Sequence, residues 1–224
     1  MAGKPPALAK LSRPRVHDVL PRPRLYTRLD DALRAPAVWL AAPPGAGKTT
    51  LLASWLEQRK RSGIWYQVDA GDADPASFIY HLRLAAAAAA KRADAALPLL
   101  TPEYLRDLDG FARRFFRRLF ELLGASAVLV LDNLQDVADD AALHRVVAEA
   151  MRQLPEGVNL AVLSRAEPNA TYAPLLADGT IALADGDALR FDLAEAQAVA
   201  HKRGVADPAA IRALHSRSRR SSRV

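Results

Sequence analysis

The chain has 224 residues, of which 50% are hydrophobic and 25% are charged, and it contains no cysteine. This composition suits one globular domain with a buried core, and it excludes a disulfide framework and thiolate metal sites. No apolar run approaches the roughly 20 residues that cross a bilayer, and the N-terminus lacks the apolar stretch of a secretory signal. We therefore expect a cytoplasmic protein with no membrane partner.

The net charge of +6 is concentrated at the two ends of the chain. The residues up to Arg24 and the residues after Asp207 each contain five more basic than acidic side chains, which leaves the part between them mildly acidic. Blocks of like charge are typical of tails. The basic character therefore does not by itself indicate a nucleic-acid-binding domain.

The first 24 residues are rich in proline and arginine, and we expect this segment to be extended rather than packed. After it, short apolar runs that predict strands alternate with stretches of helical spacing. The predicted strands cover 37–41, 64–69, 127–132, 158–164 and 180–183. This alternation predicts an α/β fold with a mostly parallel sheet of about five strands, flanked by helices, over 25–189. After it the pattern is only helical, which predicts the start of a second domain over 190–215.

One helix is predicted to begin at Thr101, with this residue as its cap and Pro102 in its first turn. Apolar residues recur every three or four positions along it and predict a core stripe. The stripe consists of Leu105, Leu108, Phe111, Phe115, Leu119 and Leu122. The arginines on the opposite side, at 113, 114, 117 and 118, are typical of a solvated face rather than of a phosphate-binding patch.

A glycine-containing loop lies between the strand 37–41 and the helix that follows it. It reads Ala42-Pro43-Pro44-Gly45-Ala46-Gly47-Lys48-Thr49-Thr50. A helix N-terminus points unpaired N–H groups and a positive dipole at an anion, and glycine lets the backbone curl around a phosphate. The first glycine of the usual motif is replaced by alanine, and the two prolines remove N–H donors. The cradle must therefore come from Gly45, Ala46 and Gly47.

The three residues after the glycines complete this motif. Lys48 is predicted to reach the β- and γ-phosphates, Thr49 to hold Mg²⁺, and Thr50 to face the α-phosphate. A strand before the loop and a helix after it supply the context that such a motif requires. The sequence therefore predicts a P-loop that binds ATP or ADP with magnesium.

An acidic residue downstream of the loop is a candidate for the second magnesium ligand. Asp132 ends the apolar strand 127–132, where a carboxylate could hold the ion from the other side, although strand-end aspartates also act as caps. Asn133 follows it, and an amide can position water but cannot accept its proton. We therefore expect slow hydrolysis, or another base such as Asp136.

Arg165 ends the predicted strand 158–164. In a P-loop sheet that strand commonly lies between the P-loop strand and the strand that carries the acid, so that the guanidinium would face the γ-phosphate and distinguish ATP from ADP. The alternative is a surface arginine at a strand end. Metal binding by histidine is not expected, because the five histidines show no ligand spacing. They are His17, His81, His144, His201 and His215.

Several segments in a fixed order carry a family resemblance. They are Lys10-Leu11-Ser12-Arg13-Pro14, Arg22-Pro23-Arg24-Leu25, the P-loop, Trp65-Tyr66-Gln67-Val68-Asp69, Val130-Leu131-Asp132-Asn133, Leu163-Ser164-Arg165 and Leu189-Arg190-Phe191-Asp192 with Glu195. This series resembles the nucleotide-binding domain of the maltose-activator-like and other large ATP-binding LuxR-type transcriptional regulators, which belong to the STAND class of signalling ATPases. The resemblance covers the chain from about residue 10 to 214.

The resemblance implies an ATP-binding, weakly hydrolysing switch in which ATP and an inducer favour a self-associating form that activates transcription. It implies phosphate and magnesium positions for Lys48, Thr49 and Asp132, and a sensor role for Arg165. It also implies that the segment Leu20-Pro21-Arg22 flanks the nucleotide base. Asn133 departs from the second acid of this family, which puts efficient hydrolysis in doubt.

The C-terminal residues 216–224 are basic and rich in serine, and we expect them to be disordered. Relatives of this kind continue into repeats and a helix-turn-helix, so we expect a truncated or frame-shifted piece that meets DNA only through a domain absent here. The alternative is a tail that binds nucleic acid electrostatically. Two other functions stay open, a stand-alone P-loop ATPase or small-molecule kinase, and a fragment without independent activity.

Overall fold

The structure is a computed structural model that describes residues 9–16, 18–89, 97–205, 207, 211 and 212. Its five strands are β1 (Ala37–Ala41), β2 (Gly63–Gln67), β3 (Val128–Asp132), β4 (Asn159–Ser164) and β5 (Ile181–Ala184). Its helices are α1 (Pro23–Ala32), α2 (Lys48–Gln58), α3 (Pro75–Ala89), α4 (Leu108–Leu123), α5 (Ala142–Arg152), α6 (Ala173–Ala177) and α7 (Leu193–Lys202). In the described ranges, none of these helices is long and apolar enough to cross a membrane.

All five strands are parallel, and their order is β2-β3-β4-β1-β5. β4 lies between β1 and β3, with Ala41 opposite Ser164 and Asp132 opposite Leu163. Because parallel strands end at the same edge of a sheet, the residues that follow β1, β3 and β4 are neighbours at the carboxyl edge. The predicted α/β P-loop fold with about five parallel strands is confirmed.

The core consists of two apolar layers, one on each face of the sheet. Every residue of β3 and β4 is buried, as is typical of central parallel strands. One layer joins α3, α4 and α5 to side chains such as Leu129 and Val162, and the other joins α1 and α2 to side chains such as Val130 and Leu163. The strand side chains thus alternate between two helix-covered faces, which gives the doubly covered sheet of an α/β domain.

The predicted start of the helix at Thr101 is wrong. Pro102–Asp107 form a 3-10 turn without a side-chain cap from Thr101, and α4 begins at Leu108, where Asp107 accepts a hydrogen bond from the Gly110 N–H (3.0 Å). Leu105 lies on that turn, outside the helical periodicity, and is 55% exposed. All four arginines of the predicted solvated face are exposed, and three of them pair with acids, as Arg113 does with Glu149 (3.1 Å).

The prediction of an unpacked N-terminal segment also needs correction for its described residues. Lys10 Nζ lies 2.8 Å from Asp69 Oδ2 and 3.1 Å from both oxygens of the fully buried Asp72. At the other end of the segment Arg22 is buried, at 9% exposure. Ion pairs between residues about 60 positions apart give no local signal in the sequence, so the proline and arginine content suggested a looser segment than the structure shows.

A mostly buried carboxylate ties this segment to α7. Glu195 Oε2 accepts hydrogen bonds from Arg22 (2.8 Å) and Arg24 (3.0 Å), and Glu195 also forms a capping box with Asp192 at the start of α7. Burial alone would raise the pKa of Glu195, but the hydrogen bonds from Arg22 and Arg24 outweigh it and lower the pKa to about 2. The predicted helical region is represented here by α7, and the predicted disordered tail, 216–224, lies outside the described residues, as do His17 and His215.

Replacing Gly63 by alanine is expected to lower the free energy of unfolding by about 3 kcal/mol, because the new Cβ must displace backbone. Gly63 has φ +155°, and a Cβ there would lie 1.9 Å from the Val128 carbonyl oxygen of the paired strand. Gly179→Ala is the matched control, since Gly179 has φ +78° but open space around a Cβ. The free energy of unfolding of Gly179→Ala should fall by about 1 kcal/mol, from the left-handed backbone conformation alone. Urea unfolding measures the stability of both variants. Equal losses of stability in Gly63→Ala and Gly179→Ala would contradict the predicted clash at Gly63.

Glu195→Gln is expected to lower the stability at pH 7 by about 1–3 kcal/mol, the usual contribution of hydrogen bonds to a charged group. Because the folded-state pKa of Glu195 lies below its unfolded value, its contribution is complete above about pH 5 and is lost as the pH falls towards 2. The difference between wild type and variant should shrink over that window in urea unfolding curves. Glu121→Gln, at an exposed pair with Arg118, serves as control with a small effect.

Candidate nucleotide-binding site

The glycine loop leaves the carboxyl end of β1 and enters α2 directly. Gly45 has φ +75° and Gly47 has φ +90°, which is a left-handed backbone that glycine adopts without strain. Gly47 is the cap residue of α2, and no side chain caps this helix end. Its first N–H groups are therefore available to an anion. Ala42 is buried and continues the β1 ladder to the Ser164 carbonyl (3.1 Å), a position that an alanine can take.

Lys48 is folded back onto the loop that precedes it. Its side chain is buried, and Nζ donates to the carbonyls of Ala42 (2.5 Å) and Pro43 (3.1 Å). Burial lowers the pKa of Lys48, the charge of Asp132 opposes that shift, and the charge of Arg165 adds to it. An ammonium group held only by neutral carbonyls has strong affinity for a charged acceptor, so a phosphate oxygen placed in the loop would compete for it.

Thr49 and Asp132 meet although 83 positions separate them in the sequence. Thr49 Oγ1 donates to Asp132 Oδ2 (3.0 Å) at the end of β3. Within the described part of the chain, the other oxygen, Oδ1, is buried without a hydrogen-bond partner. Burial raises the pKa of Asp132, while the bonds from Thr49 and from the Asn133 backbone act in the opposite direction.

This pair has the donor chemistry of a magnesium site. A carboxylate oxygen without a partner, next to a threonine hydroxyl, suits Mg²⁺, which prefers few protein oxygens together with water and phosphate. Among the described residues, no group of three or more acidic, histidine or cysteine side chains is arranged to hold a metal. The ion would therefore take its remaining ligands from phosphate and water, as in other P-loop sites.

A cavity of about 460 Å³ lies beside this pair at the carboxyl edge of the sheet, and Thr49 is one of the residues that line it. Lys48, Thr49 and Thr50 lie on its loop side, and Asn133 and Arg165 lie on its strand side. The structure therefore brings together the predicted phosphate, magnesium and sensor residues. They come from β1, β3 and β4, which are neighbours only because β4 is inserted between the other two.

Asn133 and Arg165, which both line this cavity, are held in place by hydrogen bonds to neighbouring residues. Asn133 has φ +66°, a left-handed backbone that asparagine tolerates, and its N–H donates to the Leu163 carbonyl (3.0 Å). Arg165 donates from its guanidinium to Asp136 Oδ1 (2.8 Å) and from its backbone N–H to Gln135 Oε1 (2.9 Å). The sequence analysis missed Gln135, whose only local signal is its place three residues after the end of β3.

A second cavity, of about 380 Å³, also borders the glycine loop. Leu20, Arg22 and Phe191 line it together with Gly45 and Thr50. The Arg22 guanidinium stacks on the Phe191 ring at 4.5 Å from the ring centre. The structure thus places two of the three predicted base-flanking residues beside the loop.

The third predicted base-flanking residue, Pro21, is exposed and does not line this cavity. Phe191 does line it, although the sequence analysis gave this residue no role beyond its place in a motif. Contact with a residue about 170 positions away explains why its role was not visible from local pattern.

The comparisons with known proteins agree with this architecture. The model of the family described as Nephrocystin 3, N-terminal matches residues 18–165. The HTH-type transcriptional regulator MalT of Vibrio cholerae is 30% identical over 189 residues, which are 84% of this chain and 21% of that protein. MalT of Yersinia pestis is 30% identical over 172 residues, 75% of this chain and 18% of that protein. The chain thus spans about a fifth of the length of these relatives.

A solved structure shares the fold. It is a Signal Transduction ATPase with Numerous Domains (STAND) protein with a tetratricopeptide repeat sensor from Pyrococcus horikoshii, with a TM-score of 0.63 and 19% identity over 92% of this chain and 28% of that one. The family match begins at residue 18 and ends at Arg165, so that it includes the glycine loop, Asp132 and the end of β4. This chain therefore shares the P-loop fold of that structure, is related to part of the MalT regulators, and belongs to the Nephrocystin 3, N-terminal family.

Proposed function

We propose that this chain is the nucleotide-binding switch domain of a cytoplasmic MalT-like transcriptional regulator, and that it binds ATP or ADP with Mg²⁺. The observation that carries the proposal is that the uncapped α2 N-terminus, Lys48 and Thr49 meet at one cavity, and that Thr49 is hydrogen-bonded to Asp132, whose other carboxylate oxygen has no partner among the described residues. Each of these groups has charge or hydrogen-bonding sites that its protein neighbours do not fully satisfy. A magnesium triphosphate has complementary chemistry for all of them.

Each residue around the loop has a defined part in this proposal. The N–H groups of Gly45 and of Gly47 to Thr50 are assigned to the phosphates, whereas Ala46 lies in the cradle with its N–H donated to the Pro43 carbonyl (3.3 Å). Lys48 leaves the carbonyls of Ala42 and Pro43 for the β- and γ-phosphates, because charged acceptors are stronger. Thr49 and Asp132 hold Mg²⁺, which neutralises phosphate charge when bound.

The base and the sugar are assigned to the second cavity. Its wall combines apolar side chains such as Leu20 with the Arg22–Phe191 stack, which suits a flat heterocycle. The buried arginine is held by the Leu189 and Arg190 carbonyls (2.8 and 2.9 Å), so the wall is preformed. We assign Pro21 only an indirect part, as a rigid neighbour of Arg22.

Turnover is expected to be slow. Asn133 is the residue after the magnesium carboxylate, and an amide can orient water without accepting its proton. Long residence of the triphosphate suits a switch whose output depends on which nucleotide is bound. The relatives are named HTH-type transcriptional regulators, so we assign DNA contact to a helix-turn-helix outside this chain. We assign self-association to the ATP-bound form of the regulator.

Lys48→Ala is expected to weaken Mg·ATP binding at least about 100-fold, because the phosphate charge would lose its ammonium partner. Isothermal titration calorimetry of the purified chain with Mg·ATP and Mg·ADP measures this directly. Lys60→Ala is the control, since it removes an exposed ammonium just beyond the same helix. Equal affinity of wild type and Lys48→Ala, or no binding by the wild type, would overturn the proposed function.

Asp132→Asn is expected to keep nucleotide binding but to reduce its dependence on magnesium, because a neutral amide oxygen is a weaker ligand than a carboxylate. The ratio of ATP affinities in Mg²⁺ and in EDTA should fall roughly 10-fold or more. Asp140→Asn, at an exposed position after the same strand, should leave that ratio unchanged. An unchanged ratio in Asp132→Asn would remove Asp132 from the magnesium site.

A further inference from the structure

Arg165 is hydrogen-bonded to two residues of the turn Leu134–Asp136. Its guanidinium donates to Asp136 Oδ1 (2.8 Å), and its backbone N–H donates to Gln135 Oε1 (2.9 Å). The Gln135 side-chain amide donates to the same Asp136 oxygen (3.0 Å), so three groups form one network. All three residues line the cavity that contains Lys48 and Thr49.

Two cationic side chains therefore face one cavity, and each already has an acceptor from the protein. Lys48 uses loop carbonyls, and Arg165 uses one oxygen of Asp136. The two cations are close enough for the charge of Arg165 to contribute to the lowered pKa of Lys48. A terminal phosphate between them would relieve this repulsion and would offer Arg165 several charged oxygens in place of one.

The Arg165–Asp136 pair is weak enough to be exchanged. Both side chains are partly exposed, at 52% and 36%, and exposed ion pairs contribute little to stability. By contrast, the pair between Arg22 and Glu195 is nearly buried, with both side chains at 11% exposure. Of these two arginines, Arg165 is therefore the one that can change its partner without unfolding the surrounding structure.

We propose that Asp136 is a positioning residue that competes with the terminal phosphate of ATP for Arg165, and thereby sets how strongly this domain distinguishes ATP from ADP. This inference rests on the proposed function. With a diphosphate bound, Arg165 stays on Asp136. With a triphosphate bound, the Arg165 guanidinium moves to the γ-phosphate and releases Asp136, while the Arg165 backbone N–H keeps its bond to Gln135.

Calorimetry with a non-hydrolysable ATP analogue and with ADP, both with Mg²⁺, tests this on the purified chain. Asp136→Asn is expected to bind the triphosphate about three- to tenfold more tightly, since removal of an exposed charge partner has effects of this order. Its affinity for ADP should stay within about twofold of wild type. Asp136→Glu, which keeps the carboxylate, should stay closer to wild type than Asp136→Asn does.

The double variant shows whether Asp136 acts through Arg165 or directly on the phosphate. In an Arg165→Gln background, Asp136→Asn should no longer tighten triphosphate binding, because the competition has been removed. An equal gain in that background would mean direct repulsion between Asp136 and the phosphate, and would overturn the proposal. Asp109→Asn is the matched control, since Asp109 forms a similarly exposed pair with Arg145 (2.6 Å) outside the cavity.

Turnover measurements separate this role from that of a general base. Asp136→Asn with unchanged affinities and abolished ATP hydrolysis would assign Asp136 to proton transfer and overturn the inference. If the wild type binds both nucleotides but Asp136→Asn changes neither affinity, the inference fails and the proposed function stands. If the wild type binds neither nucleotide, the proposed function fails as well.

Discussion

The insertion of β4 between β1 and β3 is the constraint on which the site depends. It places the end of β1, with its glycine loop, and the end of β3, with Asp132, on either side of Leu163 and Ser164. At that spacing Thr49 reaches Asp132 with a single hydrogen bond (3.0 Å). Parallel strands require long crossover connections, so residues far apart in the sequence become neighbours at one edge.

The site keeps charge in places where the protein alone does not balance it. Lys48 is buried with two carbonyls as acceptors, and one oxygen of Asp132 is buried without a partner in the described ranges. Such groups destabilise a folded chain unless a ligand completes them. The proposed Mg·nucleotide would supply phosphate to one and a cation to the other, and its binding would therefore also stabilise the domain.

Two arginine arrangements beside the loop differ in how firmly they are held. On the side of the second cavity, Arg22 is buried against Glu195 and two carbonyls, which makes a rigid wall and joins the N-terminal segment to α7. On the phosphate side, Arg165 is half exposed and bound to a carboxylate that lines the same cavity. In the proposed function, the first arrangement would be a fixed wall for the base and the second a sensor that can change its partner, as a nucleotide-dependent switch requires.

Local pattern in the sequence determined the elements and the chemistry of the loop. The strand at 37–41 was predicted to the residue, and the five-strand parallel fold is confirmed, because apolar runs and helical periodicity are short-range signals. Only the tertiary structure decided that Asp107 rather than Thr101 caps α4, that Arg22 is packed, that Pro21 is exposed, and that Gln135 and Asp136 hold Arg165. These features depend on contacts between residues distant in the sequence or on competition between two similar caps. Neither kind of interaction produces a periodic pattern of residues in the sequence.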